Sequence, residues 1–120
     1  MAAATAITYT NIKKFNTMTD FIAPAAIDAT NGALITFDKA DQRILVMLEN
    51  SSATTAYTFT VKKGNGIQGV KDLAVSVGTS SKKVVVLESG AFKNVKGTNI
   101  GKVHITGSHA DQKVAAVVLP

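Results

Sequence analysis

Two histidines and a neighbouring aspartate are the residues of this chain best suited by type to metal chemistry. His104 and His109 lie five residues apart, and Asp111 follows; imidazole and carboxylate groups are common zinc ligands. His104 alternates with apolar neighbours as in a strand, so we expect it on a polar sheet face, whereas His109 falls in a turn. Ser108, His109 and Asp111 crowd into one turn and cannot line up as a catalytic triad. We therefore predict no metal site and no triad here.

Two glycine-rich segments come close to nucleotide-binding motifs. Residues 64–69 match G-x-G-x-x-G, but that motif holds phosphate only where a helix begins directly after it. Residues 70–77 alternate like a strand instead, so we interpret the glycines as part of a connection between strands. Residues 97–102 are one residue short of a P-loop, and Val103 occupies the position of the Ser or Thr that binds magnesium. Neither segment predicts a cofactor.

The acidic residues show no pair suited to acid–base catalysis. Asp28, Asp38, Asp41 and Asp111 all lie at or beside expected turns, where aspartate side chains accept hydrogen bonds from neighbouring amides. We therefore assign no catalytic, cofactor-binding or metal-ligating residue and predict that the protein is not an enzyme.

Length and composition fit a single domain. The chain has 120 residues and no cysteine, which excludes disulfides and thiolate zinc sites. The N-terminus lacks the basic segment and apolar run of a secretion signal, and no stretch approaches the roughly 20 apolar residues needed to cross a bilayer. We expect a product made in the cytoplasm, with no membrane partner.

The positive charge is concentrated in the second half. Residues 57–120 hold nine lysines against three acidic residues, whereas residues 1–56 have a net charge of −1. A basic half suits an acidic partner, but the chain has one arginine, and specific nucleic-acid recognition favours the guanidinium group. We therefore expect no specific nucleic-acid partner. Solvated lysines that keep sheet edges from pairing are the simpler interpretation.

Short alternating runs dominate the rest of the chain. Tyr57–Val61, Leu73–Val77 and Lys102–Thr106 alternate apolar and polar residues, as half-buried strands do. Ile44–Leu48 is apolar on both faces, which predicts a central strand covered on each side. With turn signals every 8–12 residues and no long helical pattern, residues 25–120 are predicted to be all-β: an antiparallel β-sandwich or small barrel of about eight strands.

Turn residues predict three hairpins. Asn31 and Gly32 suit a type I′ turn between residues 27–29 and 34–37. A second hairpin is predicted between residues 73–77 and 83–87 across the turn at 78–81. A third is predicted between residues 102–106 and 113–119.

The first 24 residues form a separate segment, rich in alanine and threonine and ending at Pro24. We leave two interpretations open: an arm that docks on a partner, or a first strand with its connection, packed on the same domain. Phe15, Phe21 and Ile22 are large apolar side chains that the strand pattern does not require for the core. They are our candidate partner-docking residues.

The last third carries a family resemblance. It lies in Lys83–Asn94, with its Leu-Glu-Ser-Gly-x-Phe-Lys turn, in Gly101–Gly107, and in Asp111–Pro120, with its Val-Ala-x-Val-x-Leu-Pro ending. These segments resemble the endings of small head-decoration or head-accessory proteins of tailed bacteriophages. The resemblance implies a β-sandwich structural protein of the virion that binds the outside of the capsid. It also implies the major capsid protein as partner, a homo-oligomer on the capsid, and no cofactor.

Two other functions fit a small basic β domain. A carbohydrate-binding sandwich is weakened by the absence of tryptophan and the presence of only two tyrosines, because sugars stack on aromatic faces. A non-specific nucleic-acid-binding domain would use the basic half and would lose affinity steeply with salt.

Overall fold

The chain folds into two β-sheets that face each other across a common core. The structure is a computed structural model, and it describes residues 4–12, 14–16, 18 and 23–120. In this part of the chain 43% of the residues are in strands and 6% in helices. The predicted all-β sandwich is therefore confirmed. Within the described ranges, no helix is long and apolar enough to span a bilayer.

The described residues form ten strands and two short helical turns. The strands are β1 (Thr5–Ile7), β2 (Thr10–Asn11), β3 (Ala25–Ala26), β4 (Ala33–Thr36), β5 (Ile44–Asn50), β6 (Tyr57–Val61), β7 (Leu73–Val77), β8 (Ser81–Val85), β9 (Lys102–Thr106) and β10 (Gln112–Val118). The helical turns are a 3₁₀ turn (Asp41–Arg43) and α1 (Ser89–Phe92).

The two sheets are mixed rather than purely antiparallel. Sheet 1 has the strand order β1-β4-β9-β6-β7, and sheet 2 has the order β2-β10-β5-β8, with β3 also paired to β10. The parallel pairs are β1 with β4 and β2 with β10; the other strand pairs are antiparallel. The parallel pairs arise because the N-terminal segment adds one short strand to each sheet.

Strand β5 occupies the interior position that its apolar sequence predicts. It pairs with β10 on one side and β8 on the other. Its side chains alternate strictly: Ile44, Val46 and Leu48 are fully buried in the core, whereas Leu45 and Met47 are only half-buried on the outer face of sheet 2. Only one of the two faces that the sequence predicts to be covered is therefore fully buried.

Two of the predicted hairpins are wrong. Strand β7 pairs with β6 at the edge of sheet 1, whereas β8 pairs with β5 at the edge of sheet 2. In the same way β9 belongs to sheet 1 and β10 to sheet 2. Each connecting turn carries the chain across the core into the opposite sheet. A short polar turn between two alternating runs has the same sequence pattern in both arrangements, so the pattern could not distinguish them.

The chain reverses at Asn31-Gly32 as predicted, with an antiparallel bridge between Asp28 and Gly32, but the predicted type I′ turn and the longer hairpin are wrong. The preceding strand, β3, pairs with β10 and not with β4. Gly32 has a φ of 78°, but Asn31 is not among the described residues with positive φ, and a type I′ turn requires two of them. The turn is built instead around Asp28, whose carboxylate accepts hydrogen bonds from the amides of Thr30 and Asn31.

The core contains apolar side chains from both sheets. Sheet 1 contributes Ile7, Ala33, Ile35, Phe59, Val61, Val77, Val103 and Ile105; sheet 2 contributes Ile44, Val46, Leu48, Val114, Ala116 and Val118; and Ile27, Phe37 and Leu87 come from connections. Because the core is filled by apolar side chains, functional side chains must be carried by the loops at the ends of the sandwich.

Candidate functional site

Of the three predicted docking residues, the structure describes one. Phe15 has an exposed fraction of 78%, and the nearby Met18 is fully exposed; Phe21 and Ile22 lie outside the described residues. The chain leaves the edge of sheet 2 just before Phe15, at Ile12, whose amide donates to the carbonyl of Val118 (2.8 Å). Phe15 is therefore a surface side chain beyond the last contact of β2.

Residues 5–11 of the same segment belong to the sandwich. Ile7 is buried in the core, and the Tyr9 ring packs against the core. The Tyr9 hydroxyl donates to the carboxylate of Asp38. This hydrogen bond, with smaller contributions from burial and from the negative charge of Asp38, raises the pKa of Tyr9, although the positive charge of Arg43 opposes the shift.

At one end of the sandwich, two loops are joined into a single unit. We call residues 62–72 and 91–102 the loop pair. The Asn65 side chain bridges them: its Oδ1 accepts from the Val95 amide and its Nδ2 donates to the Lys96 carbonyl, both at 2.8 Å. The Gly64 amide donates to the Ala91 carbonyl (2.9 Å). These three bonds give the loop pair a defined shape.

The G-x-G-x-x-G glycines serve this loop contact. A Cβ on Gly64 would lie 2.4 Å from the carbonyl oxygen of Lys93, and a Cβ on Gly69 would lie 1.9 Å from the carbonyl oxygen of Gly64. Only residues without a side chain let the backbones approach so closely. The segment runs from β6 to β7, so no helix N-terminus follows it that could hold a phosphate.

The second loop is a hairpin-like turn leading into β9. Asn94 anchors it, because its amide donates to the Lys102 carbonyl (3.0 Å) and its own carbonyl accepts from the Gly101 amide (2.7 Å). Lys93, the residue before Asn94, also pairs with β9, through an isolated bridge to Val103. The P-loop-like residues 97–102 thus form the tip and returning side of this turn.

Four large aliphatic side chains project from the loop pair into solvent. Their exposed fractions are 102% for Ile67, 77% for Val70, 56% for Val95 and 60% for Ile100. The Val95 side chain lies only 3.3 Å from the position of a Cβ on Gly66, next to Ile67. Several large aliphatic groups exposed on one pair of joined loops are unfavourable in water and are typical of an interaction surface.

Lysines accompany these apolar side chains. The loop pair contains six lysines and one acidic residue, Asp72, a net charge of +5 that equals the net charge of the whole chain. Asp72 accepts from the Lys63 amide (2.7 Å) and pairs with the Lys62 ammonium group (3.1 Å). The Lys63 amide, followed by the Lys62 ammonium, lowers the pKa of Asp72.

The histidines are engaged in local structure. His104 Nε2 lies 2.7 Å from the carbonyl oxygen of Asn31 and connects β9 to the turn before β4. His109 stacks on the Tyr57 ring, with centroids 5.1 Å apart and ring planes 11° from parallel; its Nδ1 accepts from the Asp111 amide (3.1 Å). Within the described part of the chain, no group of three or more His, Asp or Glu side chains could hold a metal ion.

One apolar groove opens on the outer face of sheet 2. Pro24, Met47 and Val84 are among the residues that line it, and its volume is about 180 Å³. Pockets for drug-sized ligands usually hold roughly 300–1,000 Å³. The groove is therefore too small to enclose a ligand of that size.

Sequence reasoning missed the loop pair. Ile67, Val95 and Ile100 stand as single apolar residues among glycine, lysine and asparagine, outside any alternating run. Val70 begins the run predicted at residues 70–77, of which only Leu73–Val77 forms a strand, β7. That isolation was the available signal, because apolar residues in polar loops have no strand face on which to be buried. The contact between Asn65 and Val95 spans 30 positions and could not be derived from local pattern.

Comparison with known proteins yields no match: no family model fits the sequence, and neither a curated protein nor a solved structure is significantly similar to it.

Proposed function

We propose that this chain is a non-enzymatic structural protein of a tailed-phage virion, which binds the outside of the capsid shell and stabilises it. The major capsid protein is the proposed partner, and the capsid surface is the proposed location. The support from sequence is the resemblance in residues 83–94, 101–107 and 111–120. In the fold these residues form β8, β9, β10 and the turn at α1.

The observation that carries the proposal is the loop pair. It is an end of the sandwich whose two loops are joined by hydrogen bonds, and it exposes aliphatic and cationic side chains. Such a surface suits adhesion to another protein, because apolar contacts provide burial and charges provide orientation.

The test uses capsids assembled from the major capsid protein, the proposed partner. Purified protein is mixed with expanded and unexpanded capsids, sedimented, and quantified by gel densitometry, and the decorated particles are imaged by electron microscopy. We expect saturation at a fixed copy number per lattice unit on expanded capsids. Absence of binding to both capsid forms would refute the proposal.

A second arm of the test addresses the nucleic-acid alternative. A 30-base-pair DNA duplex is titrated with the protein at about 150 mM salt. We expect no binding at micromolar concentration, because the chain has a single arginine with which to contact phosphates bidentately. Tight, salt-sensitive DNA binding without capsid binding would favour the nucleic-acid function instead.

A further inference from the structure

We propose that the loop pair is the surface that docks, and that its partner is an acidic protein surface with an apolar depression at its centre. The inference rests on the proposed function, because it assigns the capsid contact to one end of the sandwich. It differs from the docking site predicted around Phe15, which lies in a separate segment that leaves sheet 2 at Ile12.

The first support is pre-organisation. Asn65 holds the two loops together through Val95 and Lys96, and Asn94 closes the second loop onto β9 through Lys102. A surface that is already ordered loses little conformational entropy on binding. The backbone that carries the exposed side chains is therefore ordered before binding, which suits recognition of a repeated lattice site.

The second support is the type of side chain that the loop pair exposes. Ile67, Val70, Val95 and Ile100 bring apolar area that remains in contact with water in the isolated protein. The centre of a protein–protein interface is depleted of charge and enriched in apolar groups, whereas its rim is polar. The partner must therefore offer an apolar depression to these four side chains.

The third support is charge complementarity. Lys62, Lys63, Lys71 and Lys96 are exposed in the loop pair, against a single Asp72. An acidic rim on the partner would accelerate and orient association. A second copy presenting the same surface would repel the first, because each loop pair has a net charge of +5. The occupant is therefore a different, acidic protein surface.

Nucleic acid fits the loop pair less well. A phosphate backbone offers no apolar contact to the four aliphatic side chains, and single strands are bound by stacking bases on aromatic rings. The loop pair has no arginine, and its one aromatic residue, Phe92, packs against the core. An acidic protein matches both the charge and the apolar component.

The experiment compares matched substitutions on two surfaces. Val95→Asp changes the loop pair and Val84→Asp changes β8, at valines with similar exposed fractions, 56% and 58%. Lys96→Glu and Lys83→Glu form the corresponding charge pair, since both lysines are exposed. Phe15→Asp tests the N-terminal segment. Circular dichroism and thermal melting verify that each variant folds, and capsid affinity is measured by sedimentation.

We expect at least a tenfold loss of capsid affinity for Val95→Asp and for Lys96→Glu, and less than a twofold change for Val84→Asp, Lys83→Glu and Phe15→Asp. Wild-type affinity should also fall as salt rises from about 50 to about 300 mM, since exposed charges are screened.

The outcomes separate the two proposals. Wild-type protein that fails to bind capsids refutes the proposed function. Wild-type protein that binds, with Val95→Asp and Lys96→Glu binding equally well, refutes the loop-pair assignment alone, and a selective loss in Phe15→Asp transfers the contact to the N-terminal segment. Binding of the DNA duplex, or of phosphatidylserine vesicles, as tight as capsid binding and abolished by Lys96→Glu would overturn the acidic-protein partner.

Discussion

Asn50 and Gln112 lie directly opposite each other on β5 and β10, and both side chains cross the core to sheet 1. Asn50 Nδ2 donates to the carbonyl of Val77 on β7 (3.2 Å), and Gln112 Nε2 donates to the carbonyl of Thr58 on β6 (3.0 Å). Both residues are fully buried. Buried amides must be satisfied to be tolerated, and this pair satisfies its hydrogen bonds by joining the two sheets at one end.

Gln112→Ala should destabilise the fold substantially. The Gln112 Oε1 also accepts from the amides of Ser108 and His109 (2.7 and 3.0 Å), so truncation leaves these amides and the Thr58 carbonyl without their partner. We expect a loss of about 2–3 kcal/mol in the free energy of unfolding, measured by urea denaturation. Gln42→Ala, at an exposed position, is the matched control and should change stability by less than about 0.5 kcal/mol. Equal effects would contradict the cross-sheet role.

The strands themselves were predictable because their alternation is local. The predicted runs Tyr57–Val61, Leu73–Val77 and Lys102–Thr106 coincide with β6, β7 and β9. The pairing of the strands was not predictable, because a turn sequence shows that the chain reverses but not which sheet the next strand joins. Asn50 illustrates the same limit: it begins a polar stretch in the sequence, yet it ends β5 as a buried residue. Its partner carbonyl at Val77 is 27 positions away.

The site was less predictable than the fold. The sequence indicates Phe15 because its side chain is large and the strand pattern does not require it, and in the structure that side chain is exposed. The loop pair escaped prediction because its significance depends on two loops meeting, which Asn65 and the close backbone contact at Gly64 bring about. This contact explains the glycine spacing that resembles a nucleotide-binding motif. No local sequence pattern distinguishes glycines that hold a phosphate from glycines that allow two backbones to approach.

Gly32→Ala and Gly97→Ala should separate steric overlap from backbone strain. Both glycines have left-handed φ angles, 78° and 84°. A Cβ on Gly32 would lie 2.2 Å from the carbonyl oxygen of Ile105, whereas a Cβ on Gly97 would meet nothing within 4 Å. We expect a cost of about 1 kcal/mol at Gly97 from the φ angle alone and about 3 kcal/mol at Gly32, by denaturant unfolding. Similar costs would mean that β9 moves to accommodate the methyl group.

The carboxyl of Asp72 should make the loop pair sensitive to acid. Its pKa is lowered by the Lys63 amide and then by the Lys62 ammonium, so its contribution to stability is present above the ordinary aspartate pKa near 4 and is lost as pH falls through the lower folded pKa. Carboxyl NMR titration should show this depressed midpoint. In Lys62→Met the midpoint should rise toward the ordinary value but remain below it, because the Lys63 amide still donates. A midpoint at the ordinary value in wild-type protein would disprove the contact.

Tyr9 should have the opposite pH dependence. The hydrogen bond from its hydroxyl to Asp38 holds the proton, and burial and the Asp38 charge act in the same direction, so the pKa of Tyr9 is raised. The neutral form is favoured in the folded state. Its contribution to stability is therefore complete below the ordinary tyrosine pKa of about 10 and is lost as pH rises through the higher folded pKa.

The Tyr9→Phe variant tests this. It keeps the ring against the core but removes the hydroxyl proton and the hydrogen bond to Asp38. With only two tyrosines in the chain, subtracting the ultraviolet titration of Tyr9→Phe from that of wild-type protein isolates the Tyr9 midpoint, which should lie above 10. Between about pH 7 and about pH 11, the free energy of unfolding should fall more in wild-type protein than in Tyr9→Phe. A midpoint at or below the ordinary value, or equal losses in the two proteins, would show that the Tyr9–Asp38 bond does not secure the β1–β2 segment to the turn after β4.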